Sequence, residues 1–191
     1  MTRKIHTIGI RAAGAVLALA VCLGAVGGKP ATAQDDLPIA AFYGTFAGSG
    51  VAKSEDSLFY GVTLRDLDVT IAPRNGGFAV TWTTLLREPA EGGSAPPRRK
   101  TGTRIFEKTS KPWLYRAAGA GNLLEGAEIG WARIEGNSLF VYLMRLDEKG
   151  RYDIQTYRRT LAGTGMDLTF TRMRDGDNVR SVSGKLVKDA N

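Results

Sequence analysis

Residues Ser138–Lys188 have the sequence SLFVYLMRLDEKGRYDIQTYRRTLAGTGMDLTFTRMRDGDNVRSVSGKLVK, and their pattern indicates the fold class. Three short segments rich in Gly, Asp and Asn are typical of tight turns, and they separate four runs of strand-forming residues. Strands joined by such short turns pair antiparallel, because a parallel return needs a crossover of about a dozen residues or more. The C-terminal third is therefore predicted to be a β-meander. Its four predicted strands are Leu139–Leu146, Tyr152–Leu161, Met166–Arg174 and Val179–Val187.

The chain before this meander carries the same signals. Asn75-Gly76 predicts a hairpin because both positions of a type I′ turn need positive φ. The glycines of Phe42–Lys53 indicate bending or close approach at a barrel corner, and Glu88–Pro97 is predicted to be the one long loop. With no long segment of helical period, the sequence predicts an all-β fold, an antiparallel up-and-down β-barrel of about eight to ten strands. Arg98–Lys100 leads into a further predicted strand, which ends at Lys108. The other predicted strands are Phe42–Lys53, Tyr60–Pro73, Phe78–Leu86, Trp113–Ala118 and Ile129–Glu135.

Residues 1–33 have the features of a secretory signal peptide. Basic residues precede an apolar run at 12–26 that is too short for a comfortable membrane span, and Ala31-Thr32-Ala33 supplies a small-x-small cleavage pattern. We therefore expect Sec-type export, cleavage near Ala33-Gln34 and a periplasmic or secreted protein. Acylation of Cys22 as a lipoprotein is the alternative. It is less favoured because a branched residue precedes the cysteine where a small one is usual.

Removal of this segment changes the charge of the chain. Four of the 26 Lys and Arg lie within 1–33, which contains no Asp or Glu, so 22 basic and 19 acidic residues remain and the net charge falls from +7 to +3. This small surplus gives no reason to expect a nucleic-acid partner, and no membrane span is expected in the mature chain. The predicted organisation is a lead-in segment at 34–41, one β-barrel domain at 42–188 and a polar tail at 189–191.

The only Cys and the only His, Cys22 and His6, both lie in the predicted signal segment. Ser-His-Asp triads, Cys-His dyads, zinc sites built on Cys or His and ordinary haem ligation all need these residue types. The mature chain is therefore expected to be non-enzymatic, without a cofactor, a metal or a disulfide. An enzyme that uses only carboxylates, Tyr, Lys or Arg remains an alternative.

The start of the first predicted strand carries a resemblance to a known class of proteins. Gly44-Thr45-Phe46 resembles the Gly-x-Trp opening of lipocalin-like (calycin-type) β-barrels, with Phe in place of Trp. The resemblance implies a closed barrel that holds a small apolar ligand. It also implies an arginine near the end of the chain packed over the aromatic ring, a part that Arg172 or Arg180 would play.

The turns of the meander predict which residues pair. A three-residue loop at Glu148-Lys149-Gly150 pairs Tyr142 with Thr156 on an apolar inner face, and Arg145 with Asp153 on the outer face. A three-residue loop at 163–165 then places Arg158 opposite Phe170 and Thr156 opposite Arg172. A three-residue loop at 176–178 places Phe170 opposite Gly184. A change of one residue in either loop would move every later side chain to the other face.

In this register two arginines point into the barrel. Arg158 and Arg172 would lie beside aromatic residues, and a buried guanidinium needs a carboxylate, water or an acidic ligand. The pattern suggests a hydrophobic or anionic amphiphilic ligand, with its tail on the aromatics. The alternative is that both arginines lie at the rim, in solvent or in structural ion pairs. The candidate ligand-binding residues are Arg158, Arg172, Tyr142, Phe170, Trp82 and Thr156.

The same register leaves an apolar patch on the outer face of the barrel. Leu139, Val141 and Leu143 would lie there next to Tyr157, more apolar surface than a bare wall should carry. Either the segment Trp113–Glu125 packs over the patch, or another chain does, which suggests an envelope protein as a partner. The second functional hypothesis is therefore a protein-interaction module with a solid core, either an assembly factor or a barrel-type protease inhibitor.

Overall fold

The structure is a computed structural model that describes residues 35–54, 62–86 and 98–190. Ten antiparallel strands pair in sequence order, and β1 pairs with β10, so the sheet closes into an up-and-down barrel. The predicted fold class is confirmed. The strands are β1 (Gly44–Ser54), β2 (Val62–Arg74), β3 (Gly77–Leu86), β4 (Arg98–Lys108), β5 (Leu114–Ala117), β6 (Ile129–Glu135), β7 (Ser138–Leu146), β8 (Tyr152–Ala162), β9 (Gly165–Arg174) and β10 (Asp177–Lys188).

Two short 3₁₀ helices accompany the strands. Ile39–Phe42 precedes β1, and Leu123–Glu125 lies between β5 and β6, where the Asn122 side chain accepts a hydrogen bond from the Leu124 amide. Neither of these helices in the described ranges has the length and apolar character to cross a bilayer. The predicted signal segment 1–33, with Cys22, and the predicted loop Glu88–Pro97 lie outside the described residues.

The first two turns predicted from the sequence are present in the structure. Asn75 and Gly76 have φ values of 40° and 77°, so the predicted type I′ turn joins β2 to β3. The three-residue loop ending at Gly150, with φ 76°, is also confirmed, and Tyr142 pairs with Thr156 as predicted.

The two later turns of the meander were predicted wrongly. Each has two residues rather than three, because Ala162 pairs with Gly165 and Arg174 pairs with Asp177. Tyr157, not Arg158, therefore pairs with Phe170. A bulge at residue 179 shifts β10 once more, so the partner of Phe170 is residue 182 and not residue 184. Two-residue turns prevail because their backbone twist matches that of the flanking strands.

The predicted orientation of β7 is wrong as well. Leu139, Val141 and Leu143 are 0%, 2% and 3% exposed and belong to the core, whereas Phe140 and Tyr142 lie on the outer face. Both faces of this strand are apolar, so alternation in the sequence cannot say which face is buried. The surface predicted to bind an envelope partner, with Tyr157, is therefore part of the barrel interior.

One end of the barrel is filled by aromatic side chains, and we call it the closed end. Phe42 and Phe46 from the segment around the first 3₁₀ helix are buried there together with Phe78 and Phe106. The rings of Phe78 and Phe106 stack with centroids 5.1 Å apart, and Tyr115 meets Phe78 edge-on at 5.0 Å. The interior of the barrel is therefore filled by side chains at the closed end.

Glycines allow close packing where β1, β2 and β10 meet. Gly50 pairs with Gly184, and the Leu67 side chain lies over both. A Cβ atom added to either glycine would come within 2.8 or 2.9 Å of the Leu67 Cδ1 atom. This is the close approach that the glycine-rich first strand predicted.

A lysine, and not an arginine, packs over Phe46, the aromatic residue of the lipocalin-like opening. The Lys188 Nζ atom lies 5.7 Å from the Phe46 ring centroid, at the closed end. Arg172 and Arg180, to which the resemblance assigned this part, line a pocket elsewhere in the barrel. The last strand therefore supplies the cation through Lys188.

Candidate ligand site at the open end of the barrel

The interior changes character along the barrel axis. On β2 the inward positions run from Ile71 through Val69 and Leu67 to Arg65, and on β4 the inward Phe106 is followed by Arg104. The apolar residues fill the closed end, and the cationic residues surround a cavity of about 340 Å³. We call this cavity the cationic pocket and its side of the molecule the open end.

Three aromatic rings form the floor of the cationic pocket. The Tyr157 ring lies between Trp82, at 5.3 Å between centroids, and Phe170, at 4.8 Å. Burial raises the pKa of Tyr157, so its phenol stays neutral and donates a hydrogen bond to the Gln155 Oε1 atom at 3.1 Å. Gly102 makes room for the indole, because a Cβ atom there would lie 2.7 Å from the Trp82 Cζ2 atom.

The pocket lining carries a large excess of positive charge. Among the described residues that line it, six are cationic and one is acidic. A concave, partly dehydrated surface with charges of one sign concentrates its field on the enclosed space. The cavity therefore favours an anion over a neutral or cationic guest. The six cationic residues are Arg65, Lys100, Arg104, Arg145, Arg172 and Arg180, and the acidic residue is Glu128.

Glu128 holds two of these cations in place. Its Oε1 atom is 2.6 Å from the Arg104 Nη2 atom, and its Oε2 atom is 2.9 Å from the Arg145 Nη2 atom. Burial pushes the pKa of Glu128 upward, but the hydrogen bonds from Arg145 and Arg104 outweigh burial and lower it below the ordinary value. Glu128 is thus a carboxylate that bridges two cations.

Asp153 plays the same part on β8. The Arg172 Nε and Nη2 atoms donate to its carboxylate at 2.6–3.0 Å, and Arg174 approaches at 3.4 Å. Burial acts to raise the pKa of Asp153, yet the hydrogen bonds and charges of the two arginines lower it overall. The pair of Asp153 and Arg172 points inward, whereas the sequence predicted the charges of Asp153 and its partner Arg145 to lie outside.

Arg65 and Arg180 face each other with like charges. Burial, together with the charge of Arg180, lowers the pKa of Arg65. The Nε atom of Arg65 donates to the Thr63 hydroxyl at 3.4 Å, and the Nε atom of Arg180 donates to the Ser54 hydroxyl at 3.0 Å. A bound anion would reduce the repulsion between the two guanidiniums.

Three of the six residues predicted to bind ligand line the cationic pocket: Trp82, Phe170 and Arg172. The other three lie on the outer face, because β7 and β8 present the opposite faces to those predicted. There Tyr142 stacks on Trp131 with centroids 4.9 Å apart. The Arg158 Cζ atom lies 5.7 Å from the Phe140 centroid. The residues on the outer face are Tyr142, Thr156 and Arg158.

Sequence reasoning missed two inward-pointing residues of β8. Tyr157 was assigned to the outer face, and Arg159, which is wholly buried, was not considered. A two-residue turn at Gly163-Thr164 would have paired Tyr157 with Phe170 and so indicated that these two rings share a face. That turn was the available signal in the sequence.

Other surface depressions are less suited to hold a ligand. One of about 1000 Å³ lies beside the β7–β8 hairpin and is lined mostly by exposed turn residues. Another of about 510 Å³ lies along the outside of β1, β9 and β10. Within the described ranges, no group of three or more Asp, Glu, His or Cys residues is arranged to hold a metal ion.

Comparison with protein-family models and with curated proteins gives no match. Among solved structures, the chain is similar to Rv2717c from M. tuberculosis, with 14% identity and a TM-score of 0.49 over 82% of this chain and 100% of that one. It is also similar to the S-type phycobiliprotein lyase CPES from Guillardia theta, with 6% identity and a TM-score of 0.35 over 81% and 94% of the two chains. At these identities, function has to be inferred from the residues of the pocket itself.

Proposed function

We propose that the protein binds a small anionic amphiphile in the cationic pocket. The observation that supports this function is the lining, in which six cations surround an aromatic floor and only one acidic residue is present among the described lining residues. The cations would attract the anionic group, and the rings of Trp82, Tyr157 and Phe170 would receive the apolar part.

The size of the cavity limits the ligand to a small molecule. About 340 Å³ is near the lower bound of the pockets that hold drug-sized ligands, roughly 300–1,000 Å³. A fatty acid of medium chain length or an aromatic carboxylate has this volume and chemistry. A neutral lipid of the same size would gain nothing from the positive charge of the described lining residues.

The proposal extends to export and to a non-enzymatic role. The N-terminal sequence supports secretion into the envelope, where the barrel would carry or sequester its ligand. Mass measurement of the protein purified from the periplasm or medium tests this part. A mature chain that begins near Gln34 supports export, and an intact N-terminus in the cytoplasm would contradict it.

Calorimetric titration with decanoate and with decanol tests the binding function. The two probes share a chain, so their difference in affinity isolates the carboxylate. We expect decanoate to bind at least tenfold more tightly than decanol at low salt. The preference should shrink as salt screens the exposed cations of the pocket. Failure of both probes to bind, or equal affinity for the two, would contradict the proposal.

A charge-matched pair of double variants localises the binding. Arg65→Gln with Lys100→Gln removes two cations of the pocket, and Arg99→Gln with Lys185→Gln removes two exposed cations from outside it. The first pair should weaken decanoate binding about 5- to 20-fold at low salt, and the control pair less than twofold. Equal losses in the two variants would mean that net charge, and not the pocket, attracts the anion.

A further inference from the structure

Arg159 is a cation buried in an apolar environment. It is 0% exposed, and its strand partners Leu139 and Leu168 belong to the hydrophobic core. In the part of the chain that the structure describes, its Nε and Nη1 atoms have no hydrogen-bond partner. The group that faces it is the ring of Tyr157, whose centroid lies 5.2 Å from the Arg159 Cζ atom.

Burial of a guanidinium is energetically unfavourable unless its N–H groups have hydrogen-bond acceptors. Burial lowers the pKa of Arg159 to about 10, so the guanidinium remains protonated at neutral pH. A charged group transferred from water into a protein interior loses hydration energy that one aromatic face does not restore. Two unsatisfied nitrogen atoms in the core are donors without acceptors, and an anion would supply such acceptors.

The position of Arg159 connects it to the cationic pocket. Tyr157 and Arg159 are successive inward residues of β8, and Tyr157 lines the pocket. Arg159 therefore lies one inward position closer to the closed end, behind the aromatic floor. Arg104 and Arg172, by contrast, are already engaged by the carboxylates of Glu128 and Asp153.

We propose that Arg159 binds the anionic group of the ligand. This inference rests on the proposed function, since the same amphiphile would occupy the cationic pocket. The anionic group passes the Tyr157 ring and accepts hydrogen bonds from Arg159, and the apolar part stays among Trp82 and Phe170. The cations of the pocket attract the ligand, whereas the buried guanidinium holds it. A hydrogen bond in the low-dielectric interior is stronger than one at the wet open end.

Substitution of Arg159 tests this assignment with the same two probes. Arg159→Met should lower decanoate affinity about 10- to 100-fold, the worth of a hydrogen bond to a charged group. Decanol affinity should change less than threefold, since the chain still meets the aromatic floor. Arg159→Lys keeps the charge and should retain part of the preference for decanoate. It also serves as the test variant should Arg159→Met fail to fold.

Salt distinguishes the buried cation from the exposed ones. In the wild-type protein, a preference for decanoate should persist at high salt, because a buried pair is poorly screened. Arg159→Met should lose that remainder, and Arg65→Gln with Lys100→Gln should keep it. The Arg159 Nε–H signal in ¹⁵N NMR spectra should shift with decanoate and not with decanol.

Two contrary results have separate meanings. If decanoate binds, the Arg159 signal does not move and Arg159→Met leaves decanoate affinity unchanged, Arg159 is not the anion-binding residue, although the proposed function stands. If the wild-type protein binds neither probe, the proposed function fails and the assignment of Arg159 fails with it.

Discussion

The ring of Tyr157 covers the guanidinium of Arg159, with the Arg159 Cζ atom 5.2 Å from the ring centroid. This contact separates a core that contains a buried cation from a pocket that is lined by cations. The aromatic ring stabilises the charge behind it through its π face and forms the floor for a ligand in front.

The stability of the unliganded protein should reflect this contact. Tyr157→Leu removes the π face over Arg159 and is expected to lower the free energy of unfolding by about 2 kcal/mol more in the wild-type protein than in the Arg159→Met background. Urea denaturation of the four proteins measures this coupling. Tyr157→Phe, which keeps the ring, should retain it, and additive effects of the two substitutions would contradict the prediction.

We expect the requirement for glycine at position 102 to come from the Trp82 ring alone. Gly102→Ala pushes a methyl group into the indole and is expected to cost about 1–3 kcal/mol of stability. In the Trp82→Ala background the same substitution should cost less than about 0.5 kcal/mol, because the clashing ring is gone. Thermal unfolding of the single and double variants checks this, and an equal cost in both backgrounds would point to backbone strain instead.

Glu128 should oppose anion binding while it stabilises the fold. Glu128→Gln removes the one described acidic residue of the pocket lining and leaves Arg104 and Arg145 available to an anion. We expect decanoate to bind roughly 2- to 10-fold more tightly and the free energy of unfolding to fall by about 1 kcal/mol. Calorimetry and urea denaturation measure the two effects. Asp167→Asn on the exposed outer face is the control, and equal tightening there would contradict the prediction.

Acid should destabilise the protein through Asp153 and Glu128. Both carboxyl groups have a pKa that is lower in the folded chain than in the unfolded one. Their stabilisation is therefore complete above the unfolded value, about pH 4, and is lost as pH falls through the folded values. Urea denaturation between about pH 6 and pH 2 should show this decline, and Asp153→Asn should make it shallower. An unchanged slope in that variant would remove Asp153 from the explanation.

The orientation of β7 has a direct test in two neighbouring residues. Leu139→Ala removes a core side chain and is expected to cost about 2–5 kcal/mol. Phe140→Ala removes a larger side chain from the outer face, where the Arg133 Cζ atom lies 4.5 Å from the ring centroid, and should cost only about 1 kcal/mol. Chemical denaturation compares them. A larger loss at Phe140 would restore the orientation that the sequence suggested.

Local signals in the sequence were sufficient for the barrel class and for much of the pairing. The predicted strand Ile129–Glu135 matches β6, and the predicted strand that Arg98–Lys100 leads into ends at Lys108, as β4 does. The turns at Asn75-Gly76 and at Gly150 were placed correctly, because their backbone needs a positive φ that few residues adopt. The turns after Ala162 and Arg174 were predicted wrongly, because the segments Gly163-Thr164-Gly165 and Asp175-Gly176-Asp177-Asn178 fit loops of two and of three residues alike.

Only three of the six predicted ligand-binding residues line the pocket, because the sequence does not show which face of a strand is buried. Side chains alternate with a period of two, so a strand that is apolar on both faces, as β7 is, can be buried either way. Arg172 was placed inside correctly, whereas Arg158 was chosen where Arg159 is the buried residue. One position along β8 separates an exposed arginine from one that is wholly enclosed.

The alternation of short antiparallel strands with tight turns follows from local sequence, because strand propensity and turn chemistry act between near neighbours in the chain. The residue types that are present for chemistry are also known from the sequence. The enclosed face of each strand, and the position at which the filled closed end gives way to the cationic pocket, depend on the tertiary structure. Closure of the barrel brings residues as distant as Arg65 and Arg180 together, and the burial of Arg159 is set by all the strands at once.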